Sequence, residues 1–259
     1  MGAIETQLRV VRDRGDKAFV PYVTGGYPGV DAALLQALAD AGADAIEVGI
    51  PHSDPIIDGG VIQEASRVAL EAATHPGDVL RMIGEADVPV PVAVMTYANI
   101  VTRPGLAAFC DDVAAAGVTG LIVPDLPVDE STELAALAGA RGIDVVLLAA
   151  PGTTPDRYAA IGGSSRGFVY CVATYGVTGA RGALETTARE VVESVRPHTD
   201  LPLLVGVGIA TPVHAAEACT FADGVIVGSA LMARLLDDDR DGLVELSAAF
   251  RTAIASRNG

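Results

Sequence analysis

Eight short apolar runs, rich in β-branched residues, recur along the chain, and each is followed by a segment of helical character. They are FVPYVT from Phe19, AIEVGI from Ala45, PVAVMT from Pro91, GLIVPD from Gly120, DVVLLA from Asp144, GFVYCVA from Gly167, PLLVGVG from Pro202 and DGVIVGS from Asp223. Most are continuously apolar rather than alternating, which is how strands covered on both faces read. In the intervening segments Leu34, Leu35 and Leu38 form one helical stripe, and Leu106, Phe109 and Val113 form another that stops at Gly117. Thr154-Pro155 and Thr211-Pro212 each place a capping hydroxyl before a proline at the first helical position. Strands alternating with helices pair in parallel through βαβ crossovers. Eight such units in 259 residues predict a (β/α)8 barrel, one domain spanning residues 1–259, with an extra amphipathic helix before the first strand. A doubly wound open sheet is the alternative, but no G-x-G-x-x-G follows the first run.

Composition narrows the function classes. With 17 Lys+Arg against 33 Asp+Glu the net charge is −16, which argues against nucleic acid and anionic membranes as partners. The longest charge-free run, Leu201 to Ala216, has 16 residues and contains two prolines. That is short of the roughly 18 apolar residues a spanning helix needs. The N-terminus has no basic stretch ahead of an apolar one, so no secretory signal is read, and a loose myristoylation pattern at Met1–Thr6 gives way to the amphipathic helix. Three widely spaced cysteines without a C-x-x-C pair suit a reducing compartment rather than a disulfide framework or zinc site. Cytoplasmic localisation is expected.

In a barrel of this kind chemistry sits at the C-terminal ends of the strands and in the loops after them. Glu47 falls inside an apolar, inward-facing strand, where a carboxylate must be paired, hydrated or poised for proton transfer. The loop PHSDPIIDGG, residues 51 to 60, brings Asp58 as a second candidate carboxylate, although Asp and Gly also serve as plain turn formers. His52 stands beside two aspartates, Asp54 and Asp58, without a second histidine nearby, so no metal site is expected. YGVTGARG, residues 175 to 182, suits a lid that excludes water. GVGIATP and VGSAL, after the seventh and eighth strands, suit phosphate, with backbone N–H groups and a helix N-terminus facing the anion.

Spacing alone therefore describes acid–base work on a small phosphorylated metabolite, with isomerase, epimerase and aldolase-like lyase all open. A Schiff-base aldolase is disfavoured, because Lys17 is the only lysine and precedes the first strand.

The stretches FVPYVTGGYPG, DAGADAIEVGIPHSDPIIDGGVIQ, PVAVMTYANIV, LIVPDLPVDES, PGTTPDR, GFVYCVATYGVTGAR and ADGVIVGSA resemble, in order and nearly end to end, the α subunit family of tryptophan synthase. The resemblance implies retro-aldol cleavage of indole-3-glycerol phosphate to indole and glyceraldehyde 3-phosphate. It implies Glu47 as general acid/base and Asp58 as the partner of the indole N–H. By the same likeness Tyr22, Met95 and Tyr170 line the substrate site, Thr178 meets Asp58 when the lid closes, and Gly179, Gly208, Gly228 and Ser229 hold the phosphate. It further implies a pyridoxal-phosphate β subunit in an α2β2 assembly, met near Asp54 and Asn99, with no cofactor or metal in this chain.

Three positions depart from the family pattern: Tyr27 replaces the usual aspartate, His52 the common aromatic, and Gly60 the proline after Asp58-Gly59. All three border the mouth, and losing the proline loosens a loop through its conformational entropy. They keep open a stand-alone indole-releasing lyase of a specialised pathway, and a non-catalytic activator of a β subunit.

Overall fold

The structure is a computed structural model that describes residues 1–172, 181–206 and 208–255. Its strands are β1 (Ala18–Thr24), β2 (Ile46–Gly49), β3 (Val92–Met95), β4 (Gly120–Ile122), β5 (Asp144–Ala149), β6 (Val169–Val172), β7 (Leu203–Gly206) and β8 (Gly224–Val227). Each pairs in parallel with the next and β8 returns to β1, closing the predicted barrel. Helices fill every crossover and cover the outer face, while closure of the sheet covers the inner one, so the strands read as unbroken apolar runs.

Alternation along the strands sorts the side chains into two cores. Val20, Ala45, Ala93, Ile122, Val146 and Phe168 point into the barrel, whereas Phe19, Val48, Val94 and Leu121 point outward against the helices. The predicted stripe Leu34, Leu35 and Leu38 is fully buried on the helix Ala32–Asp40. In the helix Leu106–Ala115, Phe109 and Val113 are buried while Leu106 is only partly covered. Gly117 follows this helix with φ 75°, a left-handed conformation that glycine adopts without steric cost.

The helix α1 (Ala3–Asp13) seals the N-terminal end of the barrel. Its Ile4, Leu8 and Val11 join the inner cluster, and Asp144 at the start of β5 accepts a hydrogen bond from the Glu5 backbone N–H at 3.2 Å. A carboxylate there satisfies an unpaired helix N–H and complements the helix dipole. With that end closed, the opposite mouth is the end of the barrel that the described residues leave open to a ligand.

One capping expectation needs correction. Thr211 caps its helix as expected, its side chain accepting from the His214 N–H at 3.2 Å. Thr154 occupies the N-cap position of the helix Pro155–Ser164 without a side-chain hydrogen bond to it. Proline at the first helical position already fixes that start.

Gly60 opens the helix Gly60–Glu71, after a Gly59 with extended backbone (φ −71°, ψ 161°). A Cβ at Gly60 would meet nothing within 4 Å. Proline is suited to such a position, and an extended preceding residue accepts it. Gly60→Pro is expected to stabilise the fold by about 0.4–1 kcal/mol through the unfolded chain, read as a higher urea midpoint; a lower midpoint would contradict this account of the helix start.

Candidate active site

Glu47 lies on β2 two residues beyond the inward-facing Ala45, in register with Tyr22 of β1 and Ala93 of β3. Period-two alternation therefore turns its carboxyl into the barrel. The residue is 1% exposed, and neither carboxyl oxygen has a hydrogen-bond partner among the described residues. Burial, assisted by the negative charge of Asp58, pushes its pKa up to about 8. At neutral pH the group carries its proton.

Asp58 lies in the loop that follows β2, just before the helix Gly60–Glu71, and is half-buried. The Tyr97 hydroxyl donates to its Oδ2 at 3.2 Å. Burial pushes Asp58 up to about 6, while the Tyr97 hydrogen bond and the nearby His52 act in the opposite direction. Asp58 is therefore mostly ionised at neutral pH where Glu47 is not. Two carboxyls held in different protonation states by their surroundings can serve as an acid and as a charge stabiliser.

Both carboxyls line one cavity of about 270 Å³ at the open mouth, together with Tyr22, Met95, Tyr170, Gly208, Gly228 and Ser229. Eight of the residues singled out from sequence thus meet in one place. Ile57, Ile62, Ile122, Leu148 and Val172 add the apolar wall. The tyrosines depend on glycines facing them: a Cβ at Gly49 would overlap the Tyr22 hydroxyl, and one at Gly206 would overlap that of Tyr170. Burial raises both phenols well above their ordinary range, so each stays protonated. Tyr22 also shares a hydrogen bond with Thr24 Oγ1 at 3.3 Å. Gly228 N-caps the helix Ser229–Leu236, which places that helix N-terminus on the cavity wall.

Asp54 and Asn99 lie outside the cavity, on the rim, where His52 joins them. Its Nδ1 accepts from the Asp54 backbone N–H at 3.1 Å, and its Nε2 is 3.0 Å from Asn99 Oδ1. Thr178 and Gly179 lie outside the described residues. Sequence reasoning missed Tyr97, which is 4% exposed and holds Asp58. The available signal was its position two residues beyond Met95, at the C-terminal end of β3, where barrel residues reach the mouth.

Among the described residues no group of three or more His, Cys, Asp or Glu side chains could hold a metal ion, and no helix is long and apolar enough to cross a membrane. A closed parallel barrel whose mouth sets two differently tuned carboxyls in one apolar cavity defines an acid–base enzyme of the (β/α)8 class. Comparison with known proteins narrows that class. The family model described as Tryptophan synthase alpha chain matches residues 8–255. A tryptophan synthase alpha chain from Synechococcus elongatus is 41% identical over 259 residues, covering 98% of this chain and 97% of that protein. Among solved structures, a tryptophan synthase chain from Mycobacterium tuberculosis superposes with a TM-score of 0.91 at 38% identity, covering 98% of this chain and 99% of that one. The alpha subunit from Legionella pneumophila gives 0.89 at 32% identity, with 98% of each chain covered. The chain belongs to the tryptophan synthase alpha chain family, lyases that cleave indole-3-glycerol phosphate in tryptophan biosynthesis.

The raised Glu47 also links stability to pH. The folded state binds this proton more tightly than the unfolded chain does, so stability falls as pH rises from the ordinary carboxylate range to about 8. The loss is at most about 1.4 kcal/mol per pH unit. Glu47→Gln is expected to match the parent stability near pH 4 in urea unfolding and to exceed it increasingly up to pH 8. A pH-independent difference would contradict a buried, neutral Glu47.

Proposed function

We propose that Glu47 and Asp58 divide the acid–base work of indole-3-glycerol-phosphate cleavage. The observation that carries this reading is the pair itself: Glu47 fully buried and Asp58 half-buried under Tyr97 in one largely apolar cavity, surroundings that push their pKa values up to about 8 and about 6. Glu47 donates its proton to the ring carbon that bears the glycerol phosphate chain. The resulting indolenine is positively charged at its N–H, where the Asp58 carboxylate accepts a hydrogen bond and balances the charge. Glu47, now a carboxylate, takes the proton from the hydroxyl on the adjacent chain carbon. The bond between that carbon and the ring breaks, its electron pair returns to the ring, and indole and glyceraldehyde 3-phosphate are released.

Tyr22, Met95 and Tyr170 would enclose the indole ring. Gly208, Gly228 and Ser229, with Gly179 from the lid, would hold the phosphate, favoured by small residues and a helix N-terminus on the cavity wall. Thr178 would reach Asp58 on lid closure, excluding water and strengthening each electrostatic contact inside. The chain would act as one domain, in the cytoplasm, paired with a β subunit in an α2β2 assembly that meets the rim near Asp54 and Asn99. Pyridoxal phosphate belongs in this reading to the β subunit, and no cofactor or metal to this chain. Support for the partner and the compartment comes from family membership and, for the compartment, from three buried free cysteines.

Indole release from indole-3-glycerol phosphate by the purified chain, alone and with a cognate β subunit, tests the reading. The kcat/KM profile should be bell-shaped, rising as Asp58 ionises near pH 6 and falling as Glu47 loses its proton near pH 8. Glu47→Gln should lower kcat by about 10²–10⁴-fold while the fold is kept. Near-normal turnover in that variant would remove the assignment.

A further inference from the structure

His52 occupies the rim in an arrangement that couples two parts of the mouth. It follows β2, and its ring stacks on Tyr97 with centroids 4.3 Å apart and planes 20° from parallel. Both ring nitrogens are engaged, Nδ1 by the Asp54 backbone N–H at 3.1 Å and Nε2 by Asn99 Oδ1 at 3.0 Å. Nδ1 accepts a hydrogen bond and so carries no proton; in the neutral ring the proton is on Nε2, which donates to the Asn99 oxygen. Three groups from two segments thus fix the ring in place. The face it presents covers the phenol whose hydroxyl donates to Asp58 at 3.2 Å.

We propose that His52 is a positioning residue for the cleavage reaction: locked by Asp54 and Asn99 and stacked on Tyr97, it holds the Tyr97 hydroxyl against Asp58. The inference rests on the role of Asp58 given above and adds a residue that does not touch the substrate cavity. It also ties the rim to the chemistry, because a shift at Asp54 or Asn99 turns the imidazole and, through the stack, the phenol. Tyr97 is not free to adjust alone. It is almost fully buried, and the backbone N–H of the next residue, Ala98, is held by Asp125 Oδ1 at 2.9 Å.

The surrounding charges set the pH behaviour. Asp54 and Asp58 face His52 from its own loop, and Tyr97 and the neutral Asn99 from the segment after β3, with Asp125 behind Tyr97. Arg67 and Glu71 share a surface hollow with it from the helix Gly60–Glu71, where Arg67 is already paired with Glu64 and Glu71. The nearby His52 opposes the effect of burial on Asp58 and holds that carboxyl lower than burial alone would. Removing the imidazole should therefore shift the acidic limb of the rate profile upward.

A double-mutant cycle on the isolated full-length chain tests this, with indole release from indole-3-glycerol phosphate as the readout. His52→Phe keeps a stacking ring and removes both hydrogen bonds. It should lower kcat/KM about threefold to tenfold in the parent chain and by less than about twofold in the Tyr97→Phe background, since contacting residues couple. Its acidic limb should move to higher pH, a change that a merely structural defect would not give. Asn99→Ala, which frees only Nε2, should give a smaller loss that also vanishes in the Tyr97→Phe background. Equal losses in both backgrounds, or no loss in either, would overturn the proposal. Asp58→Asn separates the two readings: if it retains full activity the role of Asp58 fails, whereas its inactivation together with an uncoupled His52 sinks the His52 proposal alone.

Discussion

A carboxyl group enclosed in an apolar barrel, without a hydrogen-bond partner among the described residues, is the constraint around which this mouth is arranged. Burying Glu47 as a charge would be costly, so the fold keeps it neutral and thereby stores a proton at the centre of the cavity. That state requires dry walls, which the inward aliphatic residues and the two tyrosines provide. It also requires the second carboxyl to sit in a different environment. Asp58 achieves this from a half-buried loop, with Tyr97 donating to it. Were both groups equally buried, neither would be ionised at neutral pH and the site would lack its charge stabiliser.

The barrel supplies this asymmetry through geometry alone. Strand alternation sends Glu47 inward from β2, and the loop after the same strand brings Asp58 over it. Pairing of β1 with β2 sets Tyr22 beside Glu47, and closure of β8 onto β1 brings Gly228 against the Tyr22 ring. The helix α1 blocks the other end with Ile4, Leu8 and Val11, so among the described residues the cavity opens at the mouth. The substrate's phosphate would then have a single direction of approach, toward the small residues after β7 and β8.

Much of this was legible in the sequence because the signals were redundant. Continuous apolar runs fixed the strands, and strand order placed Glu47, Asp58 and Ser229 at one mouth. What stayed hidden depended on contacts across the barrel. Gly49 and Gly206 are each needed because a tyrosine hydroxyl from another strand occupies the space of a side chain there, which the sequence does not show. Tyr97 was not singled out in the sequence, and only the folded loop shows its hydroxyl on Asp58. His52 could be seen to replace an aromatic residue, but its hydrogen bond to Asn99 joins positions far apart in sequence. Thr154 failed in the other direction, since a capping sequence does not oblige the hydroxyl to bond.

The central claim is that Glu47 holds a proton at neutral pH while Asp58 does not. Carbon-13 NMR titration of carboxyl-labelled glutamate and aspartate in the full chain, beside Glu47→Gln and Asp58→Asn for assignment, measures this directly. The account predicts one glutamate resonance titrating near pH 8 that is absent from Glu47→Gln, and one aspartate titrating near pH 6 that is absent from Asp58→Asn. A glutamate set fully ionised by pH 6 would contradict it.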